Sequence, residues 1–281
     1  MVRRILLGSQ LRRLREARGV TREDAGYSIR ASESKISRME LGRVSFKARD
    51  VADLLTLYGV TDATEREPLL NLAKESSVAG WWHSYSDVLP SWFQTYVGLE
   101  GAACEIDTYE VQFVHGLLQT EAYAHAVVAS GHKSLRLSDA EIDRRVSLRM
   151  ERQKLLFQEN ATQYRCVLDD AALHRPFGSR KIMDEQLLHL IELSERPNIH
   201  LQVVPFTLGG HPAESGAFTI LRFPEPEIPD VVYLEQLTGS LYLDKPEEVA
   251  QYGGVLHRLM ADGALGPKET RDHLHRVRQQ H

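Results

Sequence analysis

The chain has 281 residues, 42% apolar and 26% charged, the proportions of a soluble globular protein long enough for two domains. No apolar run approaches a membrane span, and the patch Ile5–Leu7 is too short for a signal-peptide core, so a cytoplasmic protein without membrane partners is expected. The net charge of −5 hides an asymmetry: residues 1–49 hold 13 Lys/Arg against five Asp/Glu, a net +8, and the other 232 residues hold −13. A basic head on an acidic body fits a small module that meets a polyanion.

Five short helices are predicted within residues 1–75. The first runs from Gly8 to about Arg18, with Leu7, Leu11 and Leu14 as one apolar stripe and Gly19 as its stop. Thr21 and Ser32 are N-caps for the second and third, and Gly42 ends the third. The fourth spans about Lys47–Tyr58, with Val51, Leu54 and Leu55 inward, and the fifth about Glu65–Lys74. Connections of a few residues make this a compact all-α unit. Residues 76–97 read as an aromatic linker, opened by Ser76, Ser77 and Gly80 and holding all three tryptophans, Trp81, Trp82 and Trp92.

Residues 98–281 are expected to form the second domain. Helices are predicted at 98–128 and 138–159. In the latter, Ile142, Val146, Met150 and Phe157 share one stripe while Leu148 and Leu155 lie on another face, which points to burial against two partners, one of them a second subunit. From Tyr164 onward, "YRCVL", "IHLQVVPF", "AFTILRF", "DVVYLEQ" and "SLYLD" are short β-branched and aromatic strands. A helix is expected at about 180–194, and two more at about 247–260 and 267–279. "FPEPEIPD" is a connection, since proline lacks the ladder donor. Cys104 and Cys166 have no metal-like spacing and read as buried reduced thiols. The expected fold is thus an all-α helix-turn-helix domain followed by a larger α+β domain with a small mixed sheet, helical over 98–160 and mixed over 161–281.

Helix two, a tight turn and helix three form the helix-turn-helix arrangement. Ala25 and Gly26 supply small residues where helix three crosses helix two, and Ile36 and Met39 face inward. The outward N-terminal end of helix three then presents Ser32, Glu33, Ser34, Ser37 and Arg38 to base edges. Arg38 suits guanine, Glu33 accepts from cytosine, and the serines are permissive. Arg22, Lys35, Arg43, Ser45 and Lys47 are the phosphate candidates.

"TREDAGYSIRASESKISRMELGR" resembles the phage-repressor or Xre-type helix-turn-helix family, over about residues 7–59. The run Ile36, Ser37, Arg38, Met39, Glu40 and Gly42 carries the likeness. The resemblance implies an Arg15–Glu40 ion pair that braces the fold. Two positions depart from the family pattern: Arg22 stands where Gln is usual, and Arg30 where the turn usually has Gly. Farther along, "GWWHSYSDVLPSWFQTYVGLE", "TYEVQFVHGLLQTEAYA", "RRVSLRMERQKLL", "VLDDAALHRPFG" and "PDVVYLEQLTGSLYLDKPEEVAQY" resemble the C-terminal domain of WhiJ-like regulators of filamentous actinobacteria. That resemblance implies a transcription regulator with a small partner protein encoded by a neighbouring gene, in an antitoxin-like relationship.

For the second domain, Asp169, Asp170 and His174 sit at a predicted strand end, and His200 and His211 could join them around a metal. Their spacing fits no ligand motif, and there is no phosphate loop or nucleophile elbow, so neither metal, cofactor nor enzyme activity is expected. A sensor pocket for a small molecule would be lined by Trp81, Trp82, Trp92, Tyr96 and Tyr109, with Tyr85 and Phe93 beside them; the same residues would serve as core. Homodimerisation and docking of a partner protein is the favoured role. An interaction protein that keeps the helix-turn-helix only as scaffold is the alternative.

Overall fold

The computed structural model describes residues 2–42, 44–76, 80–131, 137–213, 215–226 and 228–280. The chain forms two compact units, residues 1–83 with 225–228, and residues 84–224 with 229–281. The aromatic segment is therefore not a unit of its own: residues up to His83 group with the helical head, and those from Ser84 with the body.

The head holds α1 (Val2–Ala17), α2 (Arg22–Ser28), α3 (Glu33–Glu40), α4 (Ala48–Leu57) and α5 (Ala63–Ser76). Leu7, Leu11, Ile36, Met39, Val51, Leu54 and Leu55 form its core, each at most 2% exposed. The caps act as their residue types dictate. Thr21 Oγ1 accepts from the Asp24 N–H at 3.0 Å, and Ser32 Oγ from the Lys35 N–H at 3.2 Å. α1 begins well before Gly8, which is not a helix start. A Cβ on Gly8 would collide with the carbonyl oxygens of Met39 and Glu40, so this glycine is where α3 packs closest to α1.

The α2–α3 turn has the predicted shape. A Cβ on Gly26 would lie 2.7 Å from the Ala31 carbonyl, and the Ala31 N–H bonds the Gly26 carbonyl at 2.8 Å. Arg30 sits at φ 54°, the left-handed region that disfavours side chains. Arg30→Gly should therefore stabilise the head by about 1 kcal/mol, read as a higher urea midpoint at unchanged slope. An unchanged or lower midpoint would mean that the strain is relieved by the exposed side chain.

The body holds α6 (Ser91–Glu100), β1 (Glu105–Glu110), α7 (Glu121–Gly131), α8 (Asp139–Gln153), β2 (Gln163–Asp169), α9 (Asp170–His174), α10 (Arg180–Leu193), β3 (Ile199–Val204), β4 (Phe218–Arg222), β5 (Val231–Gln236), β6 (Gly239–Leu243), α11 (Pro246–Arg258) and α12 (Pro267–Gln280). The strands form one mixed sheet ordered β3-β2-β1-β4-β5-β6. β1, β2 and β3 are parallel, and β4, β5 and β6 continue antiparallel.

The expected helix 98–128 is not formed. In its place stand the end of α6, the strand β1 and the start of α7. The sequence "EIDTYE" looks too charged for a central strand, yet Ile106, Asp107, Thr108 and Tyr109 are all buried. Asp107 is tolerated because its neighbours supply cations. Arg165 of β2 reaches it at 2.6 and 2.8 Å, and Arg222 of β4 at 3.1 and 3.2 Å.

On one face of the sheet, Tyr109, Val167, Phe218, Ile220 and Val232 pack under Val249, Leu256 and Leu259. On the other, His115 stacks on Tyr164 and Tyr96 packs on Tyr233. Here Arg152 of α8 lies between the rings of Phe93 and Tyr96 and the carboxylate of Glu100, whose two oxygens accept from its Nε and Nη2 at 2.6 Å each.

The double-faced helix α8 has its partners within the chain. Ile142, Val146 and Met150 pack on Ala124 and Val128 of α7, while Leu148 and Leu155 are also buried. Phe157 lies past the helix end, half exposed, under the Arg196 guanidinium. Val146, Leu148 and Leu155 are thus used within the protomer, while Ile142 and Met150 are only partly buried and Phe157 stays half exposed. Cys166 is buried as expected, but Cys104 is exposed, because it precedes β1 at the sheet margin.

Candidate nucleic-acid interface

α3 is held by charges that lie beneath it. Arg15 of α1 donates to both oxygens of Glu40, at 2.5 and 3.2 Å, and to the Val20 carbonyl at 2.9 Å. Both side chains are buried. The Glu40 carboxylate raises the Arg15 pKa against the opposing effect of burial, and burial with the same carboxylate pushes Tyr58 up to about 12. This fixes the C-terminal end of α3 to α1, so the outward end of α3 has one orientation.

That outward end is open to solvent. Ser32, Glu33, Ser34 and Arg38 are exposed, and Ser37 is half-buried. Ser32 spends an oxygen lone pair on capping and keeps its hydroxyl proton. Arg38 Nε rests on the Ser34 carbonyl at 3.3 Å, which lays the guanidinium along the helix surface.

The phosphate candidates divide. Ser45 and Lys47 are exposed ahead of α4, and Lys47 is its N-cap residue with no side-chain cap bond. Lys35 is engaged elsewhere: its ammonium meets Asp50 at 2.8 Å, tying α3 to α4. Arg22 Nε donates to Glu40 at 3.0 Å, joining α2 to the buried brace. Arg43 lies outside the described residues. Sequence reading passed over Tyr27, 88% exposed on α2 just before the turn; its exposure depends on how α2 is rotated, which apolar spacing did not reveal.

The aromatic candidates are divided between the two units. Trp81 and Trp82 belong to the head and meet edge to face at 6.1 Å. In the body, Trp92 packs edge-on against Phe93, and its carbonyl accepts from Tyr242 at 2.7 Å. Tyr96 and Tyr109 are core residues on opposite faces of the sheet, Tyr96 against Phe93 and Tyr233, Tyr109 against Phe218 and His211. Alternation along the strands keeps those faces apart, so these two tyrosines cannot line one cavity.

At the ends of the parallel strands, Asp169 caps α9 by accepting from the Ala171 N–H at 2.9 Å. Its second oxygen faces Tyr109 and His211, which share a 3.2 Å hydrogen bond. His200 lies opposite Arg165 near the N-terminal end of β3, at the other end of the strands from Asp169, and bonds Gln202. Asp170 meets His174 and His273, the latter brought from α12, a residue that sequence spacing offered no reason to select.

Residues 93–276, about two thirds of the chain, match a family described as a domain of unknown function, DUF5753. The chain belongs to the DUF5753 family. Residues 6–69 match a helix-turn-helix domain, which marks the head of this DUF5753 protein as a DNA-binding module. Neither the curated proteins nor the solved structures gave a significant match. No helix among the described residues is long and apolar enough to cross a membrane.

Proposed function

We propose that this protein is a sequence-specific transcription regulator that binds DNA as a dimer, with the DUF5753 body serving dimerisation and the response to a partner protein. The observation that carries the reading is the exposed N-terminal end of α3, held in one orientation by the buried Arg15–Glu40 pair. Arg38, Glu33 and Ser34 are the base readers, with Ser32 and Ser37 permissive. Lys47, Ser45 and Tyr27 flank them as phosphate contacts, joined by the terminal nitrogens of Arg22. Lys35 leaves that set, since its ammonium is engaged by Asp50. Two protomers would read half-sites spaced by whole helical turns, hence a palindrome. The role is a cytoplasmic one and includes no catalytic step.

Selection of genomic fragments with purified protein at near-physiological salt tests this reading. Enrichment of one palindrome is expected; no enrichment would remove it. On that operator Arg38→Ala should cost about 1–3 kcal/mol, and far less on random DNA. Equal losses on both would place Arg38 on phosphate. Lys47→Ala should weaken all sequences alike and flatten the slope of log affinity against log salt by about one unit. An unchanged slope would take Lys47 out of the interface.

A second reading, an antitoxin-like protein that acts mainly by holding a small partner protein, draws on the body's surface. Leu237 and Leu241 of the β5–β6 hairpin are 99% and 55% exposed on an acidic body. A chain that enriches no DNA but co-purifies stoichiometrically with the product of an adjacent gene would favour it.

A further inference from the structure

We propose that Asp170, His174 and His273 form a binding site for one divalent transition-metal ion, with Zn2+ the best fit. Asp170 and His174 are four residues apart on α9, so both point to one side of it. His273 comes from α12, 103 residues along the chain from Asp170. One donor atom from each residue lies within 4.8 Å of the others.

Bonds of about 2.0–2.1 Å to a tetrahedral ion separate donor atoms by about 3.3–3.4 Å. His174 Nε2 is already 3.3 Å from Asp170 Oδ1. His273 Nε2 is at 2.8 Å, a hydrogen-bond distance that must open by about half an ångström as an ion replaces the shared proton.

The surroundings suit an ion that can enter. Asp170 is 4% exposed, so its charge is carried out of water beside two imidazoles. His174 is oriented by Phe206, whose ring lies 5.6 Å away. A cleft of about 380 Å3 reaches all three residues and leaves room for water as a fourth ligand. Among the described residues Arg276 is the one Arg or Lys of the cleft lining, 3.5 Å from His273 Nδ1. It is exposed, so it can turn to solvent when the ion binds. Two imidazoles and one carboxylate are a borderline donor set, which favours zinc over magnesium or calcium. The bound ion would clip α12 to the end of β2, independently of DNA binding.

The test uses the full-length chain without a histidine tag, stripped by chelator and titrated with ZnCl2 against a competing chelator. One zinc per chain is expected, with a melting temperature that rises with zinc. His174→Gln and His273→Gln should each weaken binding by more than about 100-fold, since even outer partners of a ligand are worth about 10–100-fold. Both variants should match the parent chain in far-UV circular dichroism without metal. Should His273→Gln fail to fold, His174→Gln on the cleft rim carries the comparison. The parent chain loaded with Co2+ gives a second readout, the intense visible bands of a four-coordinate site. Zinc retained by a chain carrying both His174→Gln and His273→Gln, a parent chain that binds no tighter than that variant, or only weak octahedral cobalt bands would each overturn the proposal.

Discussion

Glu40→Ala is expected to destabilise the helical head by about 3–5 kcal/mol, enough to unfold much of it. The substitution leaves the Arg15 guanidinium buried with only the Val20 carbonyl and its neighbour Glu16 as acceptors. It also releases Arg22, whose Nε rests on the same carboxylate. Hydrogen exchange of α1 and α3 amides in the full chain reads the effect without interference from the body. The double variant Arg15→Met, Glu40→Leu should lose far less than the single one, because a buried pair replaced by apolar groups leaves no uncompensated charge. A single variant within about 0.5 kcal/mol of the parent chain would mean that water reaches Arg15 and that the pair does not fix α3.

Arg152→Leu is expected to cost the body about 3–5 kcal/mol for the same reason. It strands Glu100, 1% exposed, whose two oxygens accept from Nε and Nη2 of this arginine. It also removes a cation from between Glu100 and the rings of Phe93 and Tyr96, where such contacts are worth about 1–2 kcal/mol when desolvated. Thermal unfolding followed by near-UV circular dichroism, which reports on the packing of the aromatic side chains, checks it. Arg152→Lys should recover only part of the loss, since an ammonium cannot match both carboxylate oxygens in plane. Full recovery by lysine would show that charge alone holds α6 to α8.

What was legible in the sequence was local. The head could be read because its signals act over a few residues: caps at Thr21 and Ser32, leucines at one-turn spacing, and glycines that end helices at positive φ, as Gly19 and Gly42 do. Five of the six strands carried their own β-branched pattern. The sixth, β1, did not, because its buried Asp107 is neutralised by Arg165 and Arg222, one 58 and the other 115 residues away. The same limit applies to Lys35, which local sequence assigns to phosphate and which meets Asp50, and to His273, which no sequence spacing joins to Asp170. At Gly8 composition alone does not tell a helix boundary from a point of close packing.

The place of β1 in the sheet bears on how the protein is made. Its neighbours are β2 and β4, so this central strand lacks its second hydrogen-bonding partner until Phe218–Arg222 has left the ribosome. The five helices of the head, which end at Ser76, are made far earlier, although residues 225–228 of that unit follow β4. Contacts between distant segments form slowly, so the nascent body passes through a stage in which one edge of β1 is bare while the helices of the head are already made. A translation product that stops between β3 and β4 would keep that edge, with Ile106, Thr108 and Tyr109 along it, and would be prone to pair with other chains. Synthesis that stalls there would yield a DNA-binding head attached to an aggregating body.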